Sequence, residues 1–276
     1  MRSILISLGN FQLHSFGLCV ALGLLGSYIV ISRLGRRENL SPDFAANIVT
    51  AMIVSGIIGA RLFYVGEHWA YYSAHPAEIP MIWKGGLMFY GGFIVAFGTA
   101  LVYIKLAKLR LWAVLDILAV ALPLAHAFGR IGCFLNGCCY GRVAADSAIS
   151  IRFPAGSIPW TEHVNEGLIS LIAPHSLPVL PSQLISAALN FAIFAVLLLI
   201  ALRGKPRPGL QSGLYMVLYA TARFSVEFTR ADERFHFGAI SISQTISLGI
   251  FAIGAAVLIC AILRVRAAGQ SAAPAQ

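Results

Sequence analysis

Seven apolar runs constrain this chain more than any motif does. They lie near residues 12–33, 45–66, 87–107, 112–128, 183–202, 211–228 and 240–263, separated by polar or basic stretches that are short except between the fourth and fifth. A hydrocarbon core about 30 Å thick takes roughly 20 helical residues, and without water at that depth the backbone must satisfy its own hydrogen bonds. The fourth and sixth runs are the marginal ones, and the sixth carries Arg223 and Glu227 inside its apolar stretch. Charges at that depth face a bundle interior or a water-filled cavity. With 58% hydrophobic and only 11% charged residues, a soluble globular domain is excluded. The expected fold is all-α and polytopic, with about seven transmembrane helices.

The formal net charge of +9 says less than the positions of the basic residues. Arg33, Arg36 and Arg37 follow the first run, Lys105, Lys108 and Arg110 the third, Arg203, Lys205 and Arg207 the fifth, and Arg264 and Arg266 the seventh. Short cytoplasmic loops accumulate Lys and Arg, so these alternate loops are expected on the cytoplasmic side, with the N-terminus outside and the C-terminus in the cytoplasm. The net charge is then a topology signal, and nucleic acid is not an expected partner. A cleaved signal peptide is not expected either, because the first run starts late and ends in basic residues. The organisation reads as one membrane domain, 1–266, with a disordered tail at 267–276. An excursion at 142–180, broken by Pro154, Pro159, Pro174 and Pro178, should form an irregular outer-face cap with one short helix near 160–170.

Three clusters carry chemistry, and the topology places all of them toward the outer face. The densest is Gly129–Arg142, with two arginines, four glycines and three cysteines directly after the fourth run. Glycines there permit tight turns and the approach of backbone amides to an anion, and Arg130 offers a planar fork for phosphate or carboxylate. A lone interfacial Arg often does no more than sit beside lipid headgroups. The second cluster, Lys84–Gly92, sets glycine pairs on either side of Tyr90, which reads as a proton-transfer or phosphate-binding hydroxyl, or as an interfacial anchor. The third places Tyr219, Arg223 and Glu227 at i, i+4, i+8, hence on one helical face. Arg223 and Glu227 form either a self-neutralising structural pair or part of an anion site, and a second inward arginine beside Arg130 favours the anion.

Taken together these segments resemble the prolipoprotein diacylglyceryl transferase family over most of the chain. The resemblance runs through Gly59–Tyr64, the Gly-Gly-Leu cluster at 85–92, the Gly-Arg-Ile-Gly signature at 129–141, Pro181-Ser182-Gln183-Leu184, the Tyr219/Arg223/Glu227 face and Ser241-Ile242-Ser243-Gln244. It implies a bacterial inner-membrane enzyme that moves the diacylglyceryl group of phosphatidylglycerol onto the lipobox cysteine thiol of a prolipoprotein signal peptide, releasing glycerol phosphate. Arg130 and Arg223 match the family's two essential arginines, which hold the phosphate; Tyr219 and Glu227 match their companions, and Gly141 the signature glycine. The expected catalytic set is Arg130, Arg223 and Tyr90. Substrate binding is expected of Arg130, Arg223, Tyr219, Glu227, Asn136, Gly141, Gly86 and Arg61. No metal or other cofactor is called for, because arginines already meet the leaving group's charge.

The chain also departs from that pattern. Tyr90 stands where many members have histidine, and a tyrosine with an ordinary pKa of about 10 is a poor general base near neutral pH. Cys133 replaces the usual asparagine, Cys138 the usual acidic residue, Phe16 a tyrosine and Ser186 a glutamate. Cys19 and Cys260 read as small apolar fillers in mid-helix. For Cys133, Cys138 and Cys139 three readings stand: a disulfide or structural packing, a metal site that His126 could join, and a catalytic thiol. The alternative function is a paralogue that binds phospholipid headgroups but acts on another acceptor, or serves as a lipid or redox sensor.

Overall fold

A computed structural model describes residues 4–8, 11–204, 207–230, 236–237 and 240–271. An antiparallel ribbon of β1 (Ile4–Leu8) and β2 (Phe11–His14) leads into α1 (Ser15–Arg37). Then follow α2 (Phe44–Glu67), the short α3 (Trp69–Tyr72), single 3-10 turns at Pro76–Glu78 and Ile82–Lys84, α4 (Phe89–Leu106) and α5 (Leu111–Asn136). The cap holds α6 (Ile158–Asn165), and α7 (Ser182–Arg203) and α8 (Leu210–Glu227) follow it. A two-residue ribbon, β3 (His236–Phe237) and β4 (Ile240–Ser241), precedes α9 (Ile242–Ser271).

The all-helical polytopic expectation holds, and the chain is a multi-pass membrane protein. Among the described residues six helices, α1, α2, α4, α5, α7 and α9, are long and apolar enough to cross a membrane. Their outward faces carry side chains such as Leu22, Val54, Ile58, Phe93 and Ile253, all exposed, as a surface solvated by lipid requires. The seventh long helix, α8, has 18 residues but carries Arg223 and Glu227 and falls short of that apolarity. Two boundaries differ from the sequence reading. α5 does not stop at 128 but continues to Asn136, because Gly129–Asn136 keeps helical geometry. The stretch expected as a Gly-rich turn is therefore mostly helix, and Gly137, at φ 80°, is where it breaks. The tail expected to be disordered from 267 is helical as far as Ser271, where α9 ends, and 272–276 lie outside the described residues.

The chain divides into two compact units, residues 31–114 and the remainder. In the smaller unit α2 and α4 pack at glycines. A Cβ on Gly59 would lie 2.8 Å from the Gly91 carbonyl oxygen, and one on Gly92 would lie 3.0 Å from that of Gly56, so these helices approach at backbone distance. The loop between them is tied by Arg61, which is buried at 5% exposure. Its Nε donates to Ile79 O at 2.8 Å, Nη2 to Glu78 O at 2.8 Å, and Nη1 to Gly85 O at 2.8 Å and Gly86 O at 3.1 Å. The guanidinium also lies 5.0 Å from the Tyr72 ring centroid, within cation–π range.

In the larger unit the start of α8 is fixed by a carboxylate from α5. Asp116 Oδ2 accepts from Gly209 N at 2.7 Å, and its Oδ1 accepts from Ser212 N at 2.8 Å and Ser212 Oγ at 2.7 Å. The first amides of a helix have no partner within it, and Asp116 supplies one from another helix at the positive end of the dipole. Next to it α8 and α9 meet at Gly213, where a Cβ would lie 2.8 Å from Leu258 N. The cap is irregular, as expected, with one short helix. It closes over buried Phe153 and Val179 and is held by Trp160 Nε1 donating to Ala173 O at 2.7 Å and Phe153 N donating to Ser176 Oγ at 3.0 Å.

Arg61→Ala is expected to cost about 2–4 kcal/mol, because it strands four carbonyls that a charged donor now satisfies. Arg61→Lys should not restore the loss, since an ammonium lacks the fork. Glu78→Gln, which keeps the backbone carbonyl and alters only an exposed ion pair with Lys84 and a hydrogen bond from Tyr71 OH, should leave stability nearly unchanged. Thermal unfolding in detergent reads all three.

Candidate functional site

A pocket opens in the larger unit, lined by α5, α7, α8 and the residue that follows the α8 turn. Three arginines line it, Arg130, Arg223 and Arg230, and among the described residues no carboxylate does. Behind the lining stands Glu227, whose Oε2 accepts from Arg223 Nη1 at 2.6 Å. Even with that pair neutralised the lining keeps an excess of positive charge, which suits an anion and repels a cation.

Each arginine is aimed by a neighbour. Arg130 Nε donates to His126 Nε2 at 3.1 Å, one turn earlier on α5, so that nitrogen is held in its acceptor form. The His126 ring lies 5.5 Å from that of Tyr219, which joins the two helices across the pocket. Arg223 Nη2 donates to Ser243 Oγ at 3.0 Å, and Glu227 Oε1 accepts from Ser241 Oγ at 2.7 Å. Ser241 and Gln244 also form a reciprocal capping box at the start of α9: Ser241 N donates to Gln244 Oε1 at 2.9 Å and Gln244 N donates to Ser241 Oγ at 3.2 Å. The Ser-Ile-Ser-Gln motif thus starts α9 and orients the Arg223–Glu227 pair with the same residues.

The signature's far end is held by α7. Gln183, wholly buried, donates from Nε2 to Cys138 O at 2.8 Å, and Ser182 Oγ lies 2.7 Å from Thr229 Oγ1. Gly141 is wedged between these elements: its N donates to Leu180 O at 2.9 Å, and a Cβ there would lie 2.7 Å from Leu180 O and collide with Ser182 Oγ and Thr229 O. The missing side chain at Gly141 is what lets these three segments pack together.

Beside this end sit Cys133, Cys138 and Cys139, all free thiols, their sulfurs within 4.8 Å of one another. Asn136 hydrogen-bonds Cys138. The thiols of Cys133 and Cys138 hydrogen-bond Cys139 and, with the Arg230 guanidinium nearby, hold the Cys139 thiol well below the usual thiol range. Cys19 fits the filler reading, buried against Gly132. Cys260 is exposed.

Of the residues singled out in the sequence, Arg130, Tyr219 and Arg223 line the pocket and Glu227 stands directly behind it. Arg61, Gly86 and Tyr90 belong to the smaller unit. There the donors of Arg61 are taken up by carbonyls, Gly86 at φ 74° supplies one of them, and Tyr90 is 58% exposed beside Phe89. Sequence reasoning missed Arg230 and Asn190. For Arg230, its place two turns beyond Arg223 was the available signal. Asn190 had none, being one amide in an apolar run. It lines the pocket at 4% exposure, and its Oδ1 has no donor among the described residues.

A family model described as prolipoprotein diacylglyceryl transferase matches residues 3–260. The phosphatidylglycerol–prolipoprotein diacylglyceryl transferase 2 of Clostridium perfringens is 32% identical over 251 residues, covering 91% of each chain. The corresponding transferase of Symbiobacterium thermophilum is 31% identical over 98% of this chain and 96% of its own. That of Staphylococcus carnosus is 30% identical over 93% of this chain and 89% of its own.

Gly141→Ala is expected to destabilise by about 1–3 kcal/mol through overpacking against backbone carbonyls that cannot give way. Gly129→Ala, where a Cβ would meet nothing within 4 Å, should leave stability unchanged or slightly raise it. Unfolding temperatures of the two variants in one detergent give the comparison.

Proposed function

Because the chain belongs to the prolipoprotein diacylglyceryl transferase family, we propose that the arginine-lined pocket is where it binds phosphatidylglycerol and transfers the diacylglyceryl group to prolipoprotein. It is a transferase, and the acceptor atom is the thiol sulfur of the lipobox cysteine. The sulfur attacks the glyceryl carbon bonded to phosphate oxygen. A C–S bond forms, the C–O bond breaks, and its electron pair stays on that oxygen, so a phosphodiester of charge −1 leaves as glycerol phosphate approaching −2.

The observation that carries this reading is the set of three arginines lining one pocket, with no lining carboxylate among the described residues. Charge developing on the departing phosphate is met by donors already oriented, Arg130 by His126 and Arg223 by Glu227 and Ser243, so little reorganisation is needed as the bond breaks. The unpartnered Oδ1 of Asn190 suits a hydroxyl of the headgroup glycerol, which an ethanolamine or choline headgroup lacks. The pocket is proposed to face the outer side of the bacterial cytoplasmic membrane, with the N-terminus outside and the C-terminus in the cytoplasm, following the alternation of basic loops.

Arg130→Ala and Arg223→Ala are each expected to lower transfer from labelled phosphatidylglycerol to a lipobox peptide about 100-fold or more, the scale of losing an oriented donor to developing charge. Asn190→Leu should lower it less and weaken the preference for glycerol over ethanolamine headgroups. Full transfer by either arginine variant would remove the clamp from the mechanism.

A further inference from the structure

The three-cysteine cluster is not used by the phosphate clamp, yet the chain builds it with care. Cys133 comes from the last turns of α5 and the other two from the segment beyond it. Gly137 turns the backbone at φ 80°, and Cys139 holds φ 62°, a left-handed conformation unfavourable for a residue with a Cβ. The buried Gln183 amide pins the turn through Cys138 O. The result is three sulfurs within 4.8 Å of one another. Sulfurs bound at about 2.3 Å around a tetrahedral ion stand about 3.8 Å apart, so closing on one takes about 1 Å of side-chain movement. A disulfide would use two of these thiols and leave the third without purpose.

We propose that Cys133, Cys138 and Cys139 bind one thiophilic d10 cation, of which Zn²⁺ fits best, and that its open fourth position takes the acceptor cysteine as a thiolate. Three thiolates on a divalent ion leave one negative charge, and the Arg230 guanidinium, within hydrogen-bonding reach of the Cys139 sulfur, lies where it offsets that charge. Arg230 also lines the pocket, so the two sites meet at one side chain. The inference rests on reading that pocket as the phosphatidylglycerol site. It supplies an acceptor thiol ionised near neutral pH. On binding, the acceptor loses its proton to water. Its sulfur then attacks the glyceryl carbon, the electron pair of the broken C–O bond goes to phosphate oxygen, and the thioether formed, a weaker ligand than a thiolate, dissociates.

The test uses the full chain purified in detergent with reductant present. Wild type should hold about one zinc per chain. Each of Cys133→Ser, Cys138→Ser and Cys139→Ser should retain at least tenfold less, and Cys260→Ser the full amount. In wild type alone, the three thiols should resist alkylation until a chelator is added, a readout independent of whether any variant folds. With Co²⁺ substituted, a lipobox peptide should raise the sulfur-to-metal charge-transfer absorption by about one third, as three sulfur ligands become four, and its serine counterpart should not. Arg130→Ala should keep the metal and the peptide response while losing transfer. Metal-free wild type with three reactive thiols, a Cys133 disulfide persisting in reductant, a cobalt spectrum indifferent to the peptide, or full transfer after complete chelation would each overturn the inference. If wild type binds the metal and the peptide thiol but moves nothing from phosphatidylglycerol, the proposed function fails and the metal site stands.

Discussion

A guanidinium inside an apolar helix bundle must be paired, and Arg223 is held there by Glu227 at 2.6 Å and Ser243 at 3.0 Å. The rest of the larger unit follows from that need. α8 cannot face lipid along this side, so it packs at backbone distance on α9 through Gly213 and Gly254. Its first turn is capped by Asp116 of α5, the same helix that brings Arg130 to the pocket. A buried ion pair contributes little to stability by itself, but it fixes which faces of α8 and α9 meet, and thereby where a phosphate can be received.

Much of the architecture was legible in the sequence because a bilayer leaves few options: long apolar runs become helices, and basic residues mark their ends. The face shared by Tyr219, Arg223 and Glu227 followed from helical spacing alone. The errors have local causes. Gly129 and Gly132 suggested a turn, but in an apolar setting a glycine is tolerated within a helix, and α5 continues to Asn136. Gly132 is used there for close packing, its Cα hydrogen facing Cys19 and Phe16. Arg230 and Asn190 enter the pocket by tertiary placement, which spacing along the chain does not encode.

Several motifs that carry the family resemblance turn out to position other groups. Gln183 holds the signature turn, Gly141 makes room for three chain segments, Ser241 and Gln244 cap α9 while aiming Glu227, and Arg61 binds a loop to its helix. Groups suited to meet a ligand are fewer: the guanidiniums of the pocket and the Asn190 carbonyl oxygen. The division explains how the segment after Arg130 can carry three cysteines while the pocket keeps its charge. The framework around the signature is set by backbone carbonyls and by α7, neither of which depends on the side chains at 133, 138 and 139.

The central claim is that a single phosphate is held between α5 and α8 by Arg130 and Arg223. An experimental structure of the protein in lipid nanodiscs containing phosphatidylglycerol tests it most directly. The account predicts the lipid phosphate within about 2.7–3.0 Å of guanidinium nitrogens from both arginines, with the headgroup glycerol toward Asn190. A phosphate bound elsewhere, or held by one arginine while the other stays closed on Glu227 and Ser243, would contradict it.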